Sequence, residues 1–254
     1  MLESRVMEAV SSIASNLESL RERVARAAQR AGRKAEDVSI VAVTKTHSAP
    51  SIVAAYDAGL RHFGENRVQE FERKVTAVAR PDAVWHLIGH LQSNKARRAA
   101  HLFDRVDSVD SMGLAQKLDA AAAAEGKKLG VLIEVHLGDE ATKTGADEPS
   151  LPGLAEGVAS LKNLRLLGLM TIPPFLDPPE KARPYFRKLA SLRDDLATRL
   201  RLPLPTLSMG MSHDFEIAIE EGATEIRPGT ALFGARAVAQ PAEPDSVDTS
   251  REWK

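Results

Sequence analysis

Apolar residues recur at steps of three and four near the start of the chain, at Ile13, Leu17, Leu20, Val24 and Ala28, and the pattern stops near Gly32. That period belongs to an amphipathic helix, so residues 1–33 are read as a long N-terminal helix. Beyond it the pattern changes to short, nearly uninterrupted apolar runs. Eight are recognised: VSIVAVT (38–44), RHFGE (61–65), VWHLIG (84–89), RVDSVD (105–110), LGVLIEVHL (129–137), LRLLGLMTI (164–172), PTLSMG (205–210) and TEIRPG (224–229). Helical stretches are expected between them at 50–58, 66–79, 92–100, 112–124, 150–161, 180–200 and 213–221, with another beginning at Thr230 and Pro184 in a first turn or at a kink. Strands this uniformly apolar are covered on both faces, as parallel strands joined by helices are. The expected architecture is an α/β single-domain (β/α)8 TIM barrel over 1–236, with an open doubly wound sheet as the competitor. Residues 237–254 contain little apolar content and are expected to be a disordered tail.

Composition narrows the function more than the fold. Lys plus Arg number 34 and Asp plus Glu 35, a net charge of −1, so there is no broad cationic surface for nucleic acid or an anionic membrane. Any anion site must be local. Cysteine is absent, which removes disulfides, thiol nucleophiles and thiolate metal sites. The start MLESRVMEAVSSIASNLESL lacks a cationic segment followed by an apolar core, and no window approaches the roughly 20 apolar residues of a membrane helix. The expectation is a cytoplasmic, soluble protein; without an obvious exposed apolar stripe it is expected to be monomeric.

Chemistry-bearing residues gather at strand ends. The first strand stops on Lys45, at the face where barrel active sites are built. A partly desolvated amine there reaches its neutral, nucleophilic form more readily, which suits Schiff-base chemistry; a strand-end lysine also simply snorkels into solvent. In LSMGMSHDFEIAIEEG (207–222), strand seven ends in Ser208, Gly210 permits close backbone approach, and Ser212 is placed to cap a helix beginning near His213. Seventeen residues after Gly210, IRPGTALFG places Gly229 and Thr230 directly after strand eight. Glycine and hydroxyl turns after strands seven and eight are where barrels hold phosphate. Arg227 ends strand eight, the neighbour of strand one in a closed barrel, so it either shares a pocket with Lys45 or pairs with an interior acid. His62, His86 and His90 raise a metal reading, but their spacing matches no ligand pattern, and His62 and His90 fall at opposite ends of the barrel.

Together, TKTH around Lys45, HFGENRVQE, WHLIGHLQSNK, SVDS, the KTG of DEATKTG, GLMTI, LSMGMSHDFEIAI and RPGTALFGAR resemble the pyridoxal phosphate homeostasis protein family in unbroken order from 38 to 236. The resemblance implies the barrel of the alanine racemase N-terminal domain, fold type III among pyridoxal phosphate proteins. It implies that Lys45 holds pyridoxal 5′-phosphate as a lysine aldimine. Ser208, Gly210, Ser212, Gly229 and Thr230 would bind the phosphate, Arg227 would face the pyridine nitrogen, and Asn66 and Met170 would lie against the ring or its substituents. Two positions depart from the family pattern: His90 stands where proline is usual, and Thr144 where the turn usually carries serine.

A cation at the pyridine nitrogen disfavours its protonation and weakens the ring as an electron sink. Racemases of this barrel type share that arginine but add a tyrosine base from a second domain, and this chain has only Tyr56 and Tyr185, both in expected helices. The resemblance therefore implies a non-catalytic carrier of pyridoxal phosphate in vitamin B6 homeostasis, with other B6 vitamers as further ligands and transient contact with apoenzymes that use the cofactor. An amino-acid racemase is the first alternative. A Schiff-base aldolase acting on a phosphorylated sugar is the second, using Lys45 and the same phosphate turns without a cofactor.

Overall fold

A computed structural model describes residues 2–138 and 144–234, with side chains from residue 12 onward. Eight parallel strands close into a barrel in the order β1 to β8: β1 Ser39–Val43, β2 His62–Glu65, β3 Val84–Leu87, β4 Arg105–Val109, β5 Leu129–Glu134, β6 Leu164–Met170, β7 Thr206–Ser208 and β8 Glu225–Ile226. Strand β8 pairs with β1 through Ser39↔Glu225 and Ile40↔Ile226, which excludes the open sheet. The expected runs at 205–210 and 224–229 shorten to three and two residues, since Gly210 and Pro228 lie in the turns beyond.

Among the described residues ten helices surround the barrel: α1 Leu2–Arg30, α2 Ala49–Asp57, α3 Val68–Glu72, α4 Val75–Val78, α5 Ala96–Leu102, α6 Met112–Ala124, α7 Leu151–Ser160, α8 Arg183–Leu200, α9 Phe215–Glu220 and α10 Thr230–Phe233. The single helix expected over 66–79 is two short ones, α3 and α4. Between them Lys74 has φ −120°, and its ammonium turns inward to the end of β2. Pro184 sits in the first turn of α8, where a missing N–H costs no helical bond. The expected tail at 237–254 lies outside the described residues.

Helix α1 explains its own sequence pattern. Ile13, Leu17, Leu20, Val24 and Ala28 are buried in one continuous core with the barrel's outer layer. Across its polar edge, Asn16 donates to the carbonyl of Leu232 at 3.0 Å and Arg23 to Glu216 at 2.7 Å, so α1 braces α9 and α10. No helix among the described residues is long and apolar enough to cross a membrane.

Inside the barrel the filling is partly ionic. Arg105 of β4 donates to Glu225 at 2.8 Å and Asp107 at 3.1 Å; Asp107 meets His86 at 2.9 Å, and His86 meets His62 at 2.9 Å. His86, Asp107 and Glu225 offer atoms within 4.8 Å of one another, a possible metal ligand set. The Arg105 guanidinium already supplies the positive charge that both carboxylates need, and a cation beside it would be repelled. The set is a buried ion-pair network.

Candidate cofactor-binding site

Lys45 lies in a turn two residues beyond β1 and is half-buried at the carboxyl-terminal mouth. Its turn is held from both sides. Thr44 is buried, and its hydroxyl donates to the carbonyl of Gly64 at 3.2 Å and to Glu65. Lys74 donates to Glu65 at 2.7 Å and to the Thr44 carbonyl at 3.0 Å. Thr46 takes φ +65°, unusual for a β-branched residue, with its N–H donating to Glu70 at 2.5 Å. Strain of this kind, about 1–3 kcal/mol, persists where surrounding contacts over-determine the backbone.

The two expected phosphate turns meet beside that lysine. The Val43 N–H donates to the Pro228 carbonyl at 3.0 Å, which places Gly229 and Thr230 against the end of β1. Gly210 has φ +92°, and a Cβ there would lie 2.6 Å from Cβ of Ala218 and 2.9 Å from Cα of Phe215. No residue with a side chain fits that turn unshifted. Ser212 departs from expectation: α9 starts at Phe215, and Asp214, not Ser212, occupies its N-cap position. The Ser212 hydroxyl instead accepts from the N–H groups of Gly229 and Ala231, both at 3.1 Å. Those two converging amides thus already hold an oxygen acceptor, the kind of atom a phosphate presents. This is the structural support for an anion seat at Ser212, Gly229 and Thr230.

Arg227 is 3% exposed and donates to the Ser208 hydroxyl at 2.8 Å and the Thr171 carbonyl at 2.8 Å. Burial lowers its pKa, opposed by the fields of Glu225, Asp107, Glu134 and Asp214. Of the two readings of Arg227, direct pairing with an interior acid is not what the geometry shows, since its hydrogen-bond partners are a hydroxyl and a carbonyl. Ser208 therefore orients Arg227, and its hydroxyl hydrogen remains to be donated onward. Met170, the last residue of β6, is fully buried and in register with Ser208.

Asn66 lies just beyond β2, packed so closely against Gly89 that a Cβ on the glycine would come within 2.4 Å of the Asn66 carbonyl oxygen. Asn66 and Thr46 border a cavity of about 840 Å³ between the ends of β1, β2 and β3. Arg67, Arg73, Lys95 and His90 also line it, and His90 lies 3.3 Å from Asp110. Lys45, Arg227 and the phosphate turns are not among the residues lining this cavity.

Two mouth residues escaped the sequence reading. Glu65 and Glu134 are buried carboxylates at the ends of β2 and β5, and each keeps one oxygen without a hydrogen-bond partner. The rule that singled out Lys45, an ionisable residue closing an apolar run, also fits Glu134 at the end of LGVLIE. Thr144 donates to Glu134 at 3.1 Å, so one of the two positions that depart from the family pattern supports a mouth residue.

The family model for the alanine racemase N-terminal domain matches residues 15–237. A protein of Pseudomonas aeruginosa called pyridoxal phosphate homeostasis protein is 46% identical over 233 residues, spanning 92% of this chain and all of that one. The Escherichia coli protein of the same name is 42% identical over 227 residues, 88% of this chain and 97% of that one. The chain belongs to the pyridoxal phosphate homeostasis protein family. Among solved structures, PipY of Synechococcus elongatus with PLP bound aligns at TM-score 0.77 and 39% identity, covering 87% of this chain and all of that one. Alanine racemase of Bartonella henselae aligns at TM-score 0.66 and 18% identity, covering 89% of this chain but 59% of that one, which shows the shared barrel alone.

Proposed function

We propose that this protein binds pyridoxal 5′-phosphate through a Schiff base at Lys45 and serves as a non-catalytic holder of the cofactor in vitamin B6 homeostasis. The observation that carries the reading is the shared edge of β8 and β1, where Val43, two residues before Lys45, bonds Pro228 and lies against Gly229. Ser212, Gly229 and Thr230, with the Gly210 turn, would seat the phosphate. Arg227, aimed by Ser208, would face the pyridine nitrogen, and Asn66 and Met170 would flank the ring. The bound group supplies an aldehyde carbon that exchanges between amines. The phosphate seat would retain it while the covalent bond is open.

The relatives' shared name and the PLP-bound PipY structure support the same ligand for this chain. Against the racemase reading, Tyr56 is placed away from the mouth. It lies in α2 and bonds Asp82, which precedes β3 at the opposite end. In this reading the protein is a cytoplasmic monomer that also accepts other B6 vitamers and meets recipient apoenzymes transiently. An aldolase would use Lys45 without the cofactor.

The deciding experiment is the visible spectrum of purified protein with the cofactor supplied, followed by borohydride reduction and mass mapping. A yellow species fixed on Lys45 is expected, and Lys45→Ala should lack the band while keeping weak, phosphate-dependent binding. A colourless wild type overturns the reading. Solvent-deuterium exchange at the α carbon of amino acids, if catalysed, would return the assignment to a racemase.

A further inference from the structure

Resting on the cofactor reading above, we propose that Glu134 is a ligand-contacting residue that hydrogen-bonds the ring hydroxyl of bound pyridoxal phosphate, across the mouth from Lys45. In the closed eight-strand order, β5 lies four strands from β1, so Glu134 and Lys45 come from opposite walls. Glu134 is paired in register with Met170, and Met170 with Ser208. Register partners in neighbouring parallel strands point to the same face, so these three side chains form one row. Ser208 marks the direction of that row, because its hydroxyl is bonded to the buried guanidinium of Arg227 inside the mouth. Glu134 thus faces the same space.

Its bonding is incomplete in a way that calls for a ligand. Glu134 is 4% exposed; one oxygen accepts from Thr144 at 3.1 Å and the other, Oε2, has no partner. An unpartnered buried carboxyl oxygen costs about 1–3 kcal/mol, and such groups are normally satisfied by a ligand or water. Burial raises the carboxyl's pKa, while Thr144 and the fields of Arg227 and His90 oppose the shift. The raised pKa favours the form of the carboxyl that has a hydrogen to donate, which suits a phenolic oxygen.

Of the ring's polar substituents, the aldehyde is assigned to Lys45, the phosphate to the turns after β7 and β8, and the nitrogen to Arg227. For the hydroxyl only Asn66 has so far been placed nearby, against the ring, and Oε2 of Glu134 is the polar atom of the Ser208–Met170–Glu134 row without a partner. Thr144 then acts as a positioning residue that fixes the carboxyl.

The test measures dissociation constants of pyridoxal 5′-phosphate and its 3-deoxy analogue for wild type, Glu134→Gln, Glu134→Met and Thr144→Val. The deoxy analogue keeps the aldehyde and phosphate, so it still forms an imine with Lys45, fixed by borohydride and read by mass, even if the hydroxyl contact is imaginary. The preference for the hydroxylated ligand should fall about fivefold to tenfold in Glu134→Met, the worth of one neutral hydrogen bond. It should stay within about twofold of wild type in Glu134→Gln, whose amide still donates, and fall part of the way in Thr144→Val. An unchanged preference across the variants overturns the inference. If Glu134→Met does not fold, an unchanged preference in the folded, surface-altered Thr144→Val overturns it equally. A wild type that forms no borohydride-reducible adduct at Lys45 with either ligand sinks the cofactor reading instead, a separately recognisable failure.

Discussion

The two halves of the barrel mouth are built on opposite plans. On the β7–β8–β1 side almost every polar atom already has a protein partner: Arg227 meets Ser208 and Thr171, Ser212 takes two amides, and Asp214 accepts from the Met211 N–H at 2.6 Å. Behind it, α1 clamps α9 and α10 through Arg23 and Asn16. On the β2–β5 side lie the cavity with Arg67, Arg73 and Lys95, and the half-satisfied carboxyls of Glu65 and Glu134. The first half is preorganised, so donors need no rearrangement to meet an anion. The second leaves bonding capacity to be met by whatever enters. A fixed grip beside an adaptable entrance suits a protein that must both retain a ligand and surrender it.

The comparison breaks or sharpens under four measurements. The largest effect is expected for Arg227→Met, which removes a buried cation that four buried acids face: about 3–5 kcal/mol of stability in denaturant unfolding, the cost of breaking a buried charge arrangement. On the open side, Arg67→Ala should cost less than about 0.5 kcal/mol, as exposed substitutions do. Equal losses would erase the contrast.

Next in size is Ser212→Ala combined with Thr230→Ala. It should weaken cofactor binding about tenfold, two modest hydrogen-bonding groups lost, while the coloured adduct still forms at high ligand concentration. Unchanged affinity would take both residues out of the phosphate seat.

Smaller still is charge reversal at the entrance. Arg67→Glu with Arg73→Glu should slow association of the phosphorylated ligand by a few-fold at low ionic strength, and the difference should vanish at about 1 M salt, where the screening length is about 3 Å. Stopped-flow traces identical for both proteins at low salt would mean that the basic rim does not steer.

The smallest effect concerns the interior below the mouth. Burial, and then the neighbouring His86, hold the His62 pKa below its ordinary value; Glu225 and Asp107 oppose this, and Arg105 adds to it. The unfolded chain therefore binds the proton more readily. The stabilising contribution of neutral His62 is present above about pH 6.5 and is lost as pH falls through the depressed folded value. Unfolding free energy should decline from pH 7 toward pH 5, and His62→Gln should flatten that part of the curve. A variant with the same slope would place the proton uptake elsewhere.

Most of the candidate site could be picked out in the sequence because its residues lie at strand ends, where a change from apolar to ionisable residues marks the mouth directly. Lys45, Arg227, Gly210 and the Gly229–Thr230 turn announce themselves in that way. Ser212 did not: a serine one residue before His213 reads as a local helix cap, and only the packing of two turns 17 residues apart redirected its hydroxyl to Gly229 and Ala231. The helix expected over 66–79 was misjudged for a related reason. Its pattern is helical, but the inward pull of Glu65 on Lys74 interrupts it, and that carboxylate belongs to another element. His62 and His86, separate in the chain, prove to be consecutive members of one buried relay to Asp107.

Periodicity alone determined the helix-then-barrel order, since burial on both faces of a strand requires an unbroken apolar run and a helix to cover it. The motifs at the strand ends determined which face carries the chemistry. Tertiary structure decided the pairings: which hydroxyl serves Arg227, which amides share Ser212, and which carboxyl oxygen is left unpartnered. Hydrogen bonds are directional and act within about 3 Å, and the strand register that brings such atoms within reach is set by barrel closure, a property of all eight strands together.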